Sequence, residues 1–211
     1  MGAPKTTRGS VRAAPLPPQE RREALIQAAI GVIRERHTLP TTRQIAEAAG
    51  VAEGTIFRVF ANKDAFFDAV IDRTFDSRPL HDGLEKIDGS TGLENVMIEV
   101  VTLLQARFQE IFDIMGVFSM VGPPERFRDA QRQKRQEAEL GSSVLPLLEP
   151  YADQLRVPVS EATQLMRLLT FSGSHVHIND GHVLSPQEIV HAVLYGIVKR
   201  EDLKTQQIRG N

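Results

Sequence analysis

Cysteine is absent from the 211-residue chain, so neither a disulfide framework nor a thiolate zinc site can form. Long hydrophobic runs are missing too: none approaches the roughly 18 residues that a membrane-spanning helix needs. No signal-peptide pattern opens the sequence, and a soluble, cytoplasmic protein is the expectation. Met1-Gly2 with Thr6 formally fits an N-myristoylation pattern, but the pattern is short, and Pro4 and Lys5 read as part of a basic arm. There is no internal repeat and no alternating apolar–polar run of the strand type. A nucleophile motif, a phosphate-binding loop and a dinucleotide fingerprint are also lacking, so neither catalysis nor a cofactor is expected.

What is present begins with a core: hydrophobic residues make up 41% of the chain, enough to argue against wholesale disorder. The net charge of -2 hides an asymmetry. From Met1 to Lys63 ten Lys and Arg stand against five Glu, a balance of +5; the remainder holds fifteen bases and twenty-two acids, or -7. A positive head on a negative body suits an anionic polymer at one end, where Lys and Arg displace phosphate counterions.

The apolar spacing predicts an all-α architecture of about nine helices. Residues 1–18, rich in Pro, Ala, Gly and bases, read as a flexible basic arm, either a contact to DNA or an inert tail. Leu25, Ala28, Ala29, Val32 and Ile33 mark a first helix from Gln19 to Arg36. Thr41 and Gln44 fit a capping box for a short second helix, whose buried face is Ile45, Ala46 and Ala49 and whose exit is Gly50. A third short helix is expected from about Ala52 to Phe60, and Asn62 caps a fourth that carries Phe66, Phe67, Val70, Ile71 and Phe75. Residues 78–91 read as a polar linker. Leu93 to Phe118 follow helical spacing over one long helix or two abutting ones, broken at Gly122-Pro123-Pro124. A charged helix is expected from Pro124 through Leu140, extending to about Leu148 with a bend near Gly141 or Pro146. Ser160 opens the next helix, and Ser185-Pro186-Gln187-Glu188 is the start signal of the last.

Two short helices joined by a glycine turn form a helix-turn-helix, whose second helix enters the major groove. The run from Thr42 through Val51, followed by Gly54-Thr55-Ile56-Phe57-Arg58-Val59-Phe60 and Lys63, closely resembles the TetR (tetracycline-repressor-like) family of regulators. The resemblance is dense over about Arg22 to Val70; beyond that it lies in helix layout only. Ile45, Val51, Ile56 and Phe60 should form the wedge of core under the two helices. Thr41, Thr42 and Arg43 sit at a helix N-terminus, whose free N–H groups favour phosphate. The resemblance implies that Thr42 binds the DNA backbone and that Arg43 reaches a base, with guanine the usual arginine partner. Glu53, Gly54, Thr55 and Arg58 form the exposed face of the recognition helix, and Lys63 looks like a phosphate clamp. Phe57 departs from the family, which carries a tyrosine there whose hydroxyl bonds a phosphate.

For the rest of the chain, organised as a head over residues 19–64, a body over 65–204 and a tail over 205–211, the resemblance implies a small-molecule pocket and a dimer interface. Met97, Leu104, Phe108, Phe112 and Met115 are the candidates for contact with an effector of unknown identity, although Met and Phe at helical spacing also serve as ordinary core. Leu165, Leu169, Ile189, Val193, Leu194 and Ile197 are the candidates for a homodimer four-helix bundle, which implies a palindromic double-stranded DNA operator. His175, His177 and His182, with His191 beyond, form the one metal-like cluster; it reads better as a polar loop than as a metal site. The expected function is a ligand-responsive repressor. The alternatives are a DNA-binding regulator controlled by a protein partner or acting as an activator, and, more remotely, a metal-dependent enzyme.

Overall fold

The computed structural model describes residues 17–122, 124–125, 140–176 and 178–196, with only the backbone of 140–142. These residues are helical, with no strand among them, as the apolar spacing predicts. Most of the basic arm, the charged helix expected after Pro124, His177, Ile197 and the tail lie outside the described residues. Two compact units emerge. The first is built from Pro40–Val70 and the chain up to Val32, the second from Ile33–Leu39 and the chain from Ile71 onward.

In the first unit, α1 (Pro18–Arg36) turns a continuous stripe of Leu25, Ile26, Ala29 and Ile30 into the interior. Glu20 in its first turn and Arg34 and Arg36 in its last complement the helix dipole. His37, with φ of 50°, ends it. The second helix, α2 (Thr42–Ala48), starts on the expected capping box: the Gln44 amide donates to the Thr41 hydroxyl and the Thr41 amide to the Gln44 side chain. It ends in a Schellman motif. Gly50 donates to Glu47 O at 3.2 Å and Val51 to Ala46 O at 2.9 Å, and Gly50 adopts a φ of 66° that a side chain would strain.

The expected third helix is shorter than its sequence suggests. Glu53–Thr55 form a 3-10 turn and only Ile56–Val59 are α-helical, here α3. Gly54 and the β-branched Thr55, Ile56 and Val59 make this a poor α-helix former, and the tighter turn suits so short a piece. Asn62 then caps α4 (Lys63–Phe75) by accepting from the Ala65 amide at 2.8 Å. Ile45, Ile56, Phe60, Phe66 and Phe67 fill the core of the unit, with the Phe66 ring edge-on to Phe60 at 4.9 Å and to Phe67 at 5.3 Å.

In the second unit the supposed linker is partly a helix, α5 (Arg78–Leu84). Leu84 is buried, with Leu80 and Ile87 packed on the same core. Three apolar residues interrupted by Pro79 and Gly83 show no readable period, yet Gly83 has a packing role: a Cβ there would stand 3.2 Å from Leu103 Cδ1. One unbroken helix, α6 (Leu93–Val117), runs through the middle of the unit. It stops before the expected Gly-Pro-Pro break, because Ser119 takes a φ of 52° and donates to Gly116 O while Met120 donates to Met115 O. Around α6 pack α7 (Leu140–Leu148), a 3-10 turn (Glu149–Gln154), α8 (Val159–Gly173) and α9 (Pro186–Tyr195). The opening of α8 falls to Pro158 and Val159 rather than Ser160. The opening of α9 is the expected capping box of Ser185 and Glu188.

Asp113 of α6 pairs with His37 at 3.3 Å. Burial pushes its carboxyl above the usual aspartate range, against the pull of His37 and Arg34. The folded state therefore holds a proton that the unfolded chain has already released, and stability falls as pH rises through that window. Asp113→Asn is expected to flatten the fall. Urea midpoints measured between pH 4 and 7 that decline identically in both proteins would contradict this.

Candidate nucleic-acid interface

The capping box and the glycine exit fix both ends of α2, so its first turn and the segment after Val51 are held in place by local bonds. Thr41 and Arg43 are exposed and Thr42 is half-buried. The side chain of Arg43 is 79% exposed and its Nε donates to Glu47 Oε1 at 3.0 Å, one helical turn on. The Thr42 hydroxyl donates to Glu53 Oε1, joining the start of α2 to the start of the recognition segment. Glu53, Gly54 and Arg58 are exposed, whereas Thr55, expected on the open face, is half-buried. Phe57 leaves 49% of its surface open. Lys63 is exposed, with Nζ 5.6 Å from the Phe67 ring centre. A lysine in the first turn of a helix opposes the dipole, so its place there is not explained by helix stability.

Two features of this surface escaped the sequence reading. The Arg43–Glu47 pair is an i,i+4 spacing that could have been found. The Thr42–Glu53 bond spans eleven residues and depends on the turn between them, so nothing local announces it. Arg22, on α1, also reaches the unit's aromatic core, its guanidinium 5.1 Å from the Phe60 ring centre.

In the second unit the effector candidates separate. Met97 and Leu104 are wholly inside the packed core, while Phe108, Phe112 and Met115 are half-buried. Phe108 and Phe112 stack at 6.3 Å, Phe171 meets both edge-on at 5.3 and 5.1 Å, and the His175 ring lies 4.4 Å from Phe112. Phe171 and His175 come from a different stretch of chain and were not linked to this group by spacing.

The dimer candidates separate as well. Ile189 is buried in its own chain's core, and Leu169, Val193 and Leu194 pack against that core. The open apolar surface of α8 is carried by Leu165, Leu168 and Phe171, each between 42% and 48% exposed. His191 pairs instead with Glu94 at 3.0 Å, and Tyr195 donates to the same carboxylate. Among the described residues no three His, Asp or Glu gather as a metal-ligand set, and no helix is long and apolar enough to cross a membrane.

Residues 25–70 match the family model described as bacterial regulatory proteins, tetR family. A stretch of 57 residues is 33% identical to the nucleoid occlusion factor SlmA of Haemophilus ducreyi, covering 26% of this chain and 28% of that protein's length. The TetR-like transcriptional regulator LfrR from Mycobacterium smegmatis, solved in complex with proflavine, shares the fold. Its TM-score is 0.51 at 20% identity, over 86% of this chain and 98% of that one.

Proposed function

We propose that this chain is a transcription regulator whose DNA-binding head lies over residues 25–70, the stretch that matches the tetR family model, and that it is a ligand-responsive repressor. It binds a palindromic operator as a homodimer. The observation that carries the DNA contact is the surface described above. Arg43, Glu53, Gly54, Phe57, Arg58 and Lys63 are all open on one small unit, whose helix ends are held by two caps and a Schellman turn. In this reading Thr41, Thr42 and Lys63 lie along the backbone, while Arg43, Thr55 and Arg58 reach toward bases. The exposed Arg43–Glu47 pair is worth little in water, so Arg43 leaves it at small cost. The exposed leucines of α8 support the homodimer, since a two-fold contact buries them. Selection from a random duplex library tests the whole reading: an inverted repeat is expected, and recovery of only a single unrepeated half-site would contradict the dimer.

For the effector, the half-buried Phe108, Phe112 and His175, met edge-on by the more open Phe171, support a flat aromatic or apolar ligand stacked among the rings. The M. smegmatis relative in complex with proflavine supports the same chemistry. Such a ligand acts only through its differential affinity for the DNA-competent and DNA-incompetent states.

Phe57→Tyr carries a separate expectation. About half of Phe57 is open to solvent, so an added hydroxyl is expected to be accommodated without repacking and to gain a donor for phosphate. Operator affinity should rise about threefold to tenfold, the range of one net hydrogen bond. Unchanged affinity in a direct binding titration would show that the ring does not face the backbone.

A further inference from the structure

We infer that Glu53 is a specificity-determining residue that accepts a hydrogen bond from the exocyclic amine of a cytosine in the major groove, and that Thr42 positions its carboxylate. The inference rests on the DNA-binding reading above and changes the role of Thr42 within it. A threonine hydroxyl has one proton to donate, and here it goes to Glu53 Oε1. While that bond stands, the side chain of Thr42 presents only lone pairs to a phosphate, which itself only accepts, and the backbone N–H at the helix start is what Thr42 has left to offer one. Glu53 in turn is exposed at the first residue of the recognition segment, and the bond from Thr42 falls on Oε1, leaving Oε2 for a second donor. A carboxylate in that place repels phosphates, so its use must lie with a donor.

The base edges decide which donor. In the major groove guanine offers two acceptors and thymine an acceptor and a methyl group. Adenine sets an acceptor beside its amine, whereas cytosine offers an amine with no acceptor next to it on the same base. A carboxylate that has already spent one oxygen therefore matches cytosine best. The bond from Thr42 fixes the side-chain rotamer in advance, and a contact made by a pre-set side chain discriminates more sharply than one by a free chain.

The test uses the full chain, a random double-stranded library, and then duplexes that differ at one base pair. The wild type is expected to prefer cytosine at one position by about tenfold or more. Glu53→Gln should move that preference to adenine, because a glutamine amide pairs with the adenine amine and ring nitrogen together. Thr42→Val should blunt the cytosine preference severalfold without altering the salt dependence, and Thr42→Ser should restore it. Two results would overturn the assignment: a cytosine preference that survives Glu53→Gln, or a Thr42→Val variant weakened equally on all duplexes with a smaller salt slope. Duplex binding by the wild type without any cytosine preference would overturn this inference alone. No salt-sensitive duplex binding at all would overturn the DNA-binding reading and this one together.

Discussion

Phe66→Ala is expected to unfold the head at ambient temperature and to abolish duplex binding. Phe66 has no exposed surface, and its ring is the shared partner of Phe60 and Phe67. Truncating a buried phenylalanine costs about 3–5 kcal/mol, and a unit this small has little stability to spare, since small domains bury the smallest share of their surface. The loss should be local. Hydrogen exchange would show the amides of α2 and α3 losing protection, while the amides of α6 around Val100 and Val101, buried in the separate core of the second unit, keep theirs. Phe66→Leu, which fills most of the volume, should retain binding. Full protection of α2 in Phe66→Ala would mean that the aromatic cluster is not what holds the head together.

The second large effect is expected at Arg43. Arg43→Ala leaves the capping box and the core untouched, because the side chain is open and its one described partner is Glu47. Folding should therefore be unchanged within about 0.5 kcal/mol. Binding to the selected operator should fall about tenfold to a hundredfold, the worth of a bidentate contact to one base, with relaxed preference at that position. Binding to unrelated duplex should fall much less. Equal losses on operator and random duplex would instead make Arg43 a phosphate contact. Comparing the two fold-losses decides between these roles, and the Glu47 partner offers a check. Glu47→Gln frees the guanidinium and should strengthen both modes slightly.

What the sequence made legible was mostly what is local. The capping boxes at Thr41–Gln44 and Ser185–Glu188, the Asn62 cap and the left-handed turn at Gly50 each involve residues within a few positions of one another, so their chemistry can be read directly. The long period of α6 was equally plain. α5 was not, because its helix is held by Leu84 meeting a core assembled from distant residues rather than by its own pattern. The same reason hid the surface of α8: apolar spacing cannot say which leucines the chain uses internally, and Ile189 proves to be core while Leu168 and Phe171 stay open. At the interface, spacing and resemblance together picked out an open surface around Arg43, Arg58 and Lys63. They did not reveal that Thr42 and Arg43 already hold carboxylates in the free protein, since one of those bonds crosses a turn.

The first unit is expected to bind double-stranded DNA through phosphate neutralisation and a small set of base contacts. The salt dependence of duplex binding tests it most directly. Log affinity for duplex, titrated across ionic strength, should fall linearly with log salt, at about 0.9 per phosphate contacted. Lys63→Ala should weaken operator and random duplex alike and lower that slope by about one. Duplex affinity indifferent to salt, or a Lys63→Ala slope identical to the wild type, would contradict the placement of DNA on this face.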